Sequence, residues 1–182
     1  MSAPEYADEA ICPLLQHESG RFRLQISAAG KTAAARAAAE LVPEALVPLA
    51  DTVLQEPETG AQLPWDFSVV FCSNAFMQDL NRRFRNIDAP TDVLSFALGG
   101  EVQEEDGRIF FSAGEIVISL DQLAYNAAEF GVTENEELKR LVIHGMLHLS
   151  GKDHADNSPG QEMLLLQERI LKRLDQLIVR KT

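Results

Sequence analysis

Three of the chain's four histidines fall within one short block, HGMLHLSGKDH, which runs from His144 to His154. His144 and His148 are four residues apart, so on a helix both imidazoles project from the same face. Gly151 follows three residues later and can take the left-handed conformation that ends a helix and turns the chain back. The block therefore requires a helix that ends in a tight turn, with three imidazoles on one side of it.

Three imidazoles placed in this way can share one tetrahedral metal ion, with each nitrogen about 2.0–2.1 Å from zinc. Three protein ligands leave the fourth position open to water, as is typical of a catalytic rather than a structural zinc site. We therefore predict one Zn²⁺ ion bound by His144, His148 and His154, on the helix that carries the first two. Imidazole also suits Ni²⁺ and Cu²⁺, so the sequence does not decide between these metals. The fourth histidine, His17, is expected to be an ordinary surface residue.

The same histidine spacing occurs in metzincin peptidases, which carry a glutamate directly after the first histidine as the general base. In this chain that position is Gly145. A metallopeptidase, or another zinc hydrolase related to the metzincins by the HxxxHxxxxxH spacing, is therefore the alternative function. It would lack its usual base.

The pattern of apolar residues predicts an α+β fold with a single domain. β-Branched and aromatic residues predict a mixed sheet of about four strands, at 21–27, 67–72, 92–98 and 109–119. Periodicity and capping residues predict about five or six helices on this sheet, at 33–40, in two short segments up to 55, from 74, at 120–130, at 133–149 and from 158. We expect residues 1–20 to be a loosely ordered extension and residues 21–182 to form the functional domain.

The net charge of −12 counts against general affinity for nucleic acid, which requires basic surface to displace counterions. The charge is uneven, however, since Arg82, Arg83 and Arg85 form a small basic zone in the segment LNRRFRNID. By themselves these arginines are typical of a solvated helix end, where cations offset the helix dipole.

Two features of the chain bear on its cellular compartment. It has no run of eighteen apolar residues that would span a membrane, and residues 1–20 lack the basic and apolar parts of a signal peptide. Its two cysteines, Cys12 and Cys72, are too few for a disulfide framework. These features predict a cytoplasmic protein with no membrane contact.

The segments LNRRFRNIDAPTDVLSF, AGEIVIS and HGMLHLSGKDH, in this order between residues 67 and 172, together resemble the YbeY family of rRNA maturation factors. The resemblance continues through EMLLLQERIL in the last helix. It implies a metal-dependent, single-strand-specific endoribonuclease domain at 21–182 that acts in rRNA processing and ribosome quality control. It also implies zinc on the three histidines, an essential arginine at Arg85, and contacts with the small ribosomal subunit and an assembly GTPase. The family often has an aromatic residue or histidine where this chain has Lys152, so the resemblance implies no particular substrate contact at this position.

Zinc and Arg85 together are a sufficient minimal set of groups for cleaving a phosphodiester. Zinc polarises a phosphoryl oxygen, and a guanidinium offers two parallel donors to the oxygens of the five-coordinate phosphorus. Asp153 is either a partner that orients a ligand imidazole or the general base, and a zinc-bound hydroxide is the other candidate for the base. Water and the 2′-hydroxyl are both candidates for the nucleophile. DNA is not an expected substrate, and a non-catalytic ribosome-assembly module with structural zinc is a third hypothesis.

Overall fold

The computed structural model describes residues 10–156, 158 and 160–181, which form a mixed α+β domain. Its six strands are β1 (Ile11–Glu18), β2 (Phe22–Ala29), β3 (Trp65–Cys72), β4 (Val93–Ala97), β5 (Glu101–Gln103) and β6 (Ile109–Ser119). Its six α-helices are α1 (Lys31–Glu40), α2 (Leu46–Leu54), α3 (Asn74–Arg85), α4 (Leu120–Phe130), α5 (Glu134–Leu149) and α6 (Glu162–Arg173). The predicted fold class is confirmed, with more strands than the sequence indicated.

All six strands belong to one mixed sheet, in the order β1-β2-β3-β6-β4, with β5 also paired to β6. The β2–β3 and β3–β6 pairs are parallel, and the other pairs are antiparallel. β4 therefore lies at one edge of the sheet and β1 at the other. None of the helices described combines the length and apolar character that crossing a membrane requires.

The prediction of a loosely ordered extension at 1–20 is wrong for residues 11–18, which form β1 and pair with β2. The sequence did not predict this strand because Pro13 interrupts the alternation of apolar and polar residues. The register of the pairing with β2 also shifts between Pro13 and Leu15. Both irregularities are tolerated at a sheet edge, where one side of the strand needs no partner. Residues 1–9 of the expected extension lie outside the described residues. The second additional strand, β5, has only exposed residues and so no apolar pattern.

The helices cover the two faces of the sheet unequally. The larger core joins one face of β2, β3 and β6 to α1, α2, α4, α5 and α6. The smaller core lies on the other face under α3, where Met77 and Leu80 pack against Val70 and Val117. Helix α6 begins at Glu162, later than the capping box predicted at Ser158, and its N-cap Gln161 makes no side-chain cap hydrogen bond. Pro159, predicted as its first residue, lies outside the described residues.

Helix α5 is the most deeply embedded helix near the β4 edge. Thr133 caps it as predicted, since its hydroxyl oxygen accepts a hydrogen bond from the Glu136 amide at 3.1 Å. Gly145 packs so closely on β6 that a Cβ atom there would lie 2.7 Å from Ile116 Cγ2. The helix ends at Leu149, and Gly151 then takes the predicted left-handed conformation with φ 83°. This embedding fixes the position of the histidines that α5 carries.

Candidate metal centre

The three histidines of the block meet at the C-terminal end of α5. His144 and His148 are on the helix, and the turn at Gly151 brings His154 back to them. The ring centroids of His144 and His148 are 4.6 Å apart. The centroid of His154 is 5.2 Å from that of His144 and 5.4 Å from that of His148. One ligand nitrogen from each ring lies within 4.8 Å of the others. Such a cluster can hold a metal ion.

The Nδ1 atom of each of these histidine rings lies within hydrogen-bond distance of an oxygen atom. Nδ1 of His144 is 2.9 Å from Gln167 Oε1, that of His148 is 3.0 Å from the carbonyl oxygen of Lys152, and that of His154 is 2.9 Å from the carbonyl oxygen of Asp156. A carbonyl oxygen only accepts hydrogen bonds, so each Nδ1 carries the proton. Gln167 Nε2 donates to Glu168 Oε1 at 3.1 Å, which leaves Gln167 Oε1 for the histidine. In every neutral ring, Nε2 therefore presents a lone pair.

These lone pairs provide the test of whether the residues fit a metal. Nε2 of His144 and Nε2 of His148 are 3.0 Å apart. With both protons on Nδ1, neither nitrogen can donate to the other, and two facing lone pairs repel. A cation between the nitrogens turns this repulsion into coordination, so the donor set fits a metal that imidazole binds.

Burial favours the ligand form of two of the rings. Desolvation lowers the pKa of His144 and of His148 below the ordinary value for histidine. The hydrogen bonds to Gln167 and to the Lys152 carbonyl oppose this effect without reversing it. Both imidazoles are therefore neutral at pH 7, as metal coordination requires.

The histidines open into a cleft of about 690 Å³ between α5, the end of α3, the edge strand β4 and the end of α4. The volume is within the range of about 300–1,000 Å³ that is typical of ligand sites. All five residues singled out from the sequence line this cleft, namely Arg85, His144, His148, Asp153 and His154. The apolar part of its wall is formed by Val93, Phe130, Val132, Leu141 and Leu164.

Arg85 is the last residue of α3, and its exposed side chain lines the cleft. Arg82 and Arg83, in the same helical turn, both form ion pairs with Asp79. Every other arginine of the chain forms at least one ion pair, whereas Arg85 forms none with any residue that the structure describes. Its charge is therefore available to a ligand of the cleft.

Asp153 lies at the rim of the cleft with 86% of its side chain exposed. Its Oδ1 atom accepts a hydrogen bond from the His154 amide at 2.8 Å and is 3.8 Å from His148 Nδ1. The carbonyl oxygen of Lys152 is the closer partner of that ring, so it has the larger part in orienting His148. The roles predicted for Asp153 stay predictions.

Gln167 is a site residue that the sequence did not reveal. It is 5% exposed on α6 and reaches His144 from 23 positions along the chain. The available signal was a polar residue within the apolar stripe of α6, between Leu166 and Ile170, both of which are buried. A buried amide at such a position requires a partner, but the sequence does not say which.

Gly145, the residue after the first histidine, lies where a larger side chain would crowd its neighbours. A Cβ atom at Gly145 would lie within 3.0 Å of three side-chain atoms of Ile116. A glutamate at this position would therefore require the side chain of Ile116 to shift. The arrangement has the three metal ligands of a metzincin peptidase, with a closely packed glycine at the position of its general base.

Comparisons with known proteins point to a nuclease family rather than to a peptidase family. A family model described as Endoribonuclease YbeY matches residues 32–175. Endoribonuclease YbeY of Treponema denticola is 61% identical over 107 residues, which are 59% of this chain and 69% of the relative. The protein of the same name from Borreliella afzelii is 43% identical over 126 residues, 68% of this chain and 82% of the relative. A solution structure from Thermotoga maritima is 32% identical with a TM-score of 0.48, over 72% of this chain and 81% of that one. The chain therefore belongs to the Endoribonuclease YbeY family.

Proposed function

We propose that this chain is a metal-dependent endoribonuclease that cleaves single-stranded RNA in the processing and quality control of rRNA. The observation that carries the proposal is the convergence of one ligand nitrogen from each of three histidines in the cleft that also contains Arg85, which has no ion pair with a described residue. A metal and a guanidinium are together sufficient to stabilise the charge that develops during phosphodiester cleavage. The names of the relatives support RNA as the substrate.

We propose zinc as the metal, held by His144, His148 and His154. Neutral imidazole is a preferred zinc ligand, and the orientation of each ring by an oxygen at Nδ1 is the usual arrangement around protein-bound zinc. When bound, zinc would polarise a phosphoryl oxygen and lower the pKa of a water molecule to about 7. Metal analysis distinguishes it from nickel and copper, which bind the same donors.

The chain's own residues have separate tasks in this proposal. Arg85 donates two parallel hydrogen bonds to the oxygens of the scissile phosphate and so holds it beside the histidines. Asp153, at the rim, would take the proton of the nucleophile. The apolar wall of the cleft, including Leu141 and Leu164, excludes water and strengthens these charged contacts.

The products of the reaction identify the nucleophile. Attack by the 2′-hydroxyl closes a 2′,3′-cyclic phosphate on the upstream product, whereas attack by water leaves a linear phosphate. Analysis of the product ends by mass spectrometry therefore decides between the two. A deoxyribose at the cleavage position abolishes the first reaction and leaves the second intact.

The partners in the cell are also part of the proposal. We propose that the protein acts in the cytoplasm and contacts the small ribosomal subunit and an assembly GTPase. The acidic character of the chain, with a net charge of −12, suits contact with basic ribosomal proteins. Co-sedimentation of the metal-loaded protein with purified small subunits tests this part separately from cleavage.

The central experiment combines metal analysis with RNA cleavage. Purified protein should contain about one equivalent of transition metal and cleave single-stranded RNA, and a chelator should abolish cleavage until zinc is restored. His148→Ala should lose metal and activity, whereas His17→Ala, on β1 and outside the cleft, should retain both. DNA and peptides should be poor substrates. Metal-loaded protein that cleaves no RNA would contradict the proposal.

A further inference from the structure

Phe130 is the most exposed of the large apolar side chains in the described part of the chain, at 68%. It is the last residue of α4, a helix that is anchored through the buried residues Leu120, Leu123 and Ala127. The Phe130 ring therefore adds little to the packing of the fold. Its side chain instead forms part of the wall of the metal cleft.

Phe130 lies in the chain just before the start of α5, whereas His144 and His148 lie in the second half of that helix. Gly131, in the left-handed conformation, ends α4 directly after Phe130 and leads into α5 within three residues. On α5, Glu137 and His144 both line the cleft and are seven residues apart, which corresponds to about 10 Å along the helix axis. A ligand group next to Phe130 is therefore a neighbour of the reacting phosphate rather than the phosphate itself.

The charges of the cleft are divided in the same direction. The histidine end has the metal ligands and Arg85, which favour a phosphate, and one exposed carboxylate, that of Asp153. Asp92 accepts a hydrogen bond from Asn126 of α4 at 3.0 Å and lies between the two ends, since its charge acts on both His144 and Glu137. Glu137 is buried against Arg140. These carboxylates repel a phosphate but accept hydrogen bonds from neutral donors.

Arg140 does not change this division, although it also lines the cleft. Its guanidinium donates to three carboxylates, those of Glu136, Glu137 and Glu168, at 2.8–3.1 Å. It therefore has little positive charge to offer to RNA. An exposed aromatic ring beside hydrogen-bond acceptors suits a flat, uncharged group with amino donors.

We infer that Phe130 is a stacking platform for an unpaired RNA base adjacent to the cleaved bond. This inference rests on the proposed function. Bases of single strands stack readily on aromatic side chains, whereas the faces of a base inside a duplex are covered by its neighbours. Stacking on Phe130 would thus contribute to the selection of single-stranded RNA at the site itself.

The test compares two exposed aromatic residues of α4. Tyr125 is 59% exposed and does not line the cleft, so it is the matched control. Single-turnover cleavage is measured at increasing concentrations of zinc-loaded protein, to separate the half-saturating concentration from the maximal rate. Phe130→Leu, which keeps an apolar side chain but removes the ring, should raise the half-saturating concentration about 5- to 150-fold. Phe130→Trp should restore it, and Tyr125→Leu should leave it unchanged.

A second substrate identifies the contact as stacking. In an RNA with a single abasic position next to the cleavage site, wild type and Phe130→Leu should have equal half-saturating concentrations. Equal half-saturating concentrations for wild type and Phe130→Leu on the intact RNA would overturn the inference. The same holds if an abasic position weakens binding equally wherever it is placed in the RNA. Phe130 would then be a candidate contact for a protein partner instead. If the zinc-loaded wild type cleaves no RNA, the proposed function itself fails. Zinc content and the unfolding midpoint are measured for each variant, and both should match the wild type.

Discussion

Arg85 is the residue at which a structural and a catalytic role predict different results. Its side chain is exposed and has no ion pair with a described residue, so Arg85→Ala removes no buried side chain and leaves no described carboxylate without its partner. The only expected cost to stability is the loss of a cation at the end of α3, about 0.3–1 kcal/mol. Loss of a group that stabilises charge in the transition state instead lowers the rate by about 10²-fold or more. We expect both effects, and they are measured separately.

The assay is single-turnover cleavage of single-stranded RNA at saturating concentrations of zinc-loaded protein. Metal content and the free energy of unfolding are determined for each variant. Arg85→Lys should recover only part of the rate, because an ammonium keeps the charge but not the planar pair of donors. Arg82→Ala is the matched control, since Arg82 lies in the same turn but is paired with Asp79. It should lose about the same stability and almost none of the maximal rate.

Two results would refute this reasoning. The first is a near wild-type cleavage rate for Arg85→Ala with full zinc content, which would remove Arg85 from the catalytic set. The second is an equal loss of rate in Arg82→Ala, which would show that the general charge of the α3 end matters rather than one guanidinium in the cleft.

Three further predictions concern metal affinity, packing and salt. Gln167→Leu removes the acceptor for His144 Nδ1 and should weaken zinc binding about 10- to 100-fold, measured by competition with a chelator, and Gln167→Glu should restore it. Gly145→Ala should destabilise the protein by about 1–3 kcal/mol in chemical denaturation, because its Cβ atom would overlap Ile116; an unchanged midpoint would contradict the close packing of α5 on β6. RNA affinity should depend weakly on salt, with a log–log slope of about −1.4 if only Arg85 and the metal contact phosphates, and a slope several times steeper would indicate a wider basic surface.

The geometry of the histidines could be predicted because it is local. His144 and His148 share one helical face, and Gly151 reverses the chain within a few residues, so no distant contact is needed to bring the rings together. The oxygens that orient the rings are less predictable. Two of them are carbonyls whose direction depends on the conformation of the turn, and the third belongs to Gln167, which reaches His144 only through the packing of α6 on α5.

The difference between local patterns and distant contacts also explains why β1 and β5 were not predicted from the sequence. β3 and β6 could be predicted from their β-branched and aromatic residues, and the last four residues of each strand are buried on both faces. β1 is an edge strand whose register shifts at Pro13, and β5 has no buried residue, so neither leaves a periodic signal. These strands exist because a neighbouring strand provides hydrogen-bond partners for their backbones, which is a property of the neighbour rather than of their own residues.

The availability of Arg85 also follows from its surroundings rather than from its own segment. Arg82, Arg83 and Arg85 look alike in sequence, yet Asp79 forms ion pairs with the first two, and the third lines the cleft. Its side chain is exposed, whereas Met77 and Leu80 form the packed face of α3. Its catalytic role stays a prediction until cleavage is measured.

The acidic character of the chain has a consequence for how it would encounter RNA. With a net charge of −12 and nearly all its arginines occupied by carboxylates, the surface offers few cations that could displace counterions from RNA. Binding would then depend on a small number of short-range contacts in the cleft, namely the metal, Arg85 and a stacked base. Such contacts act only after the RNA strand has reached the site, and they do not attract it from a distance. A nuclease of this kind requires delivery to its substrate, which is why a contact with basic ribosomal proteins is a physical part of the proposal.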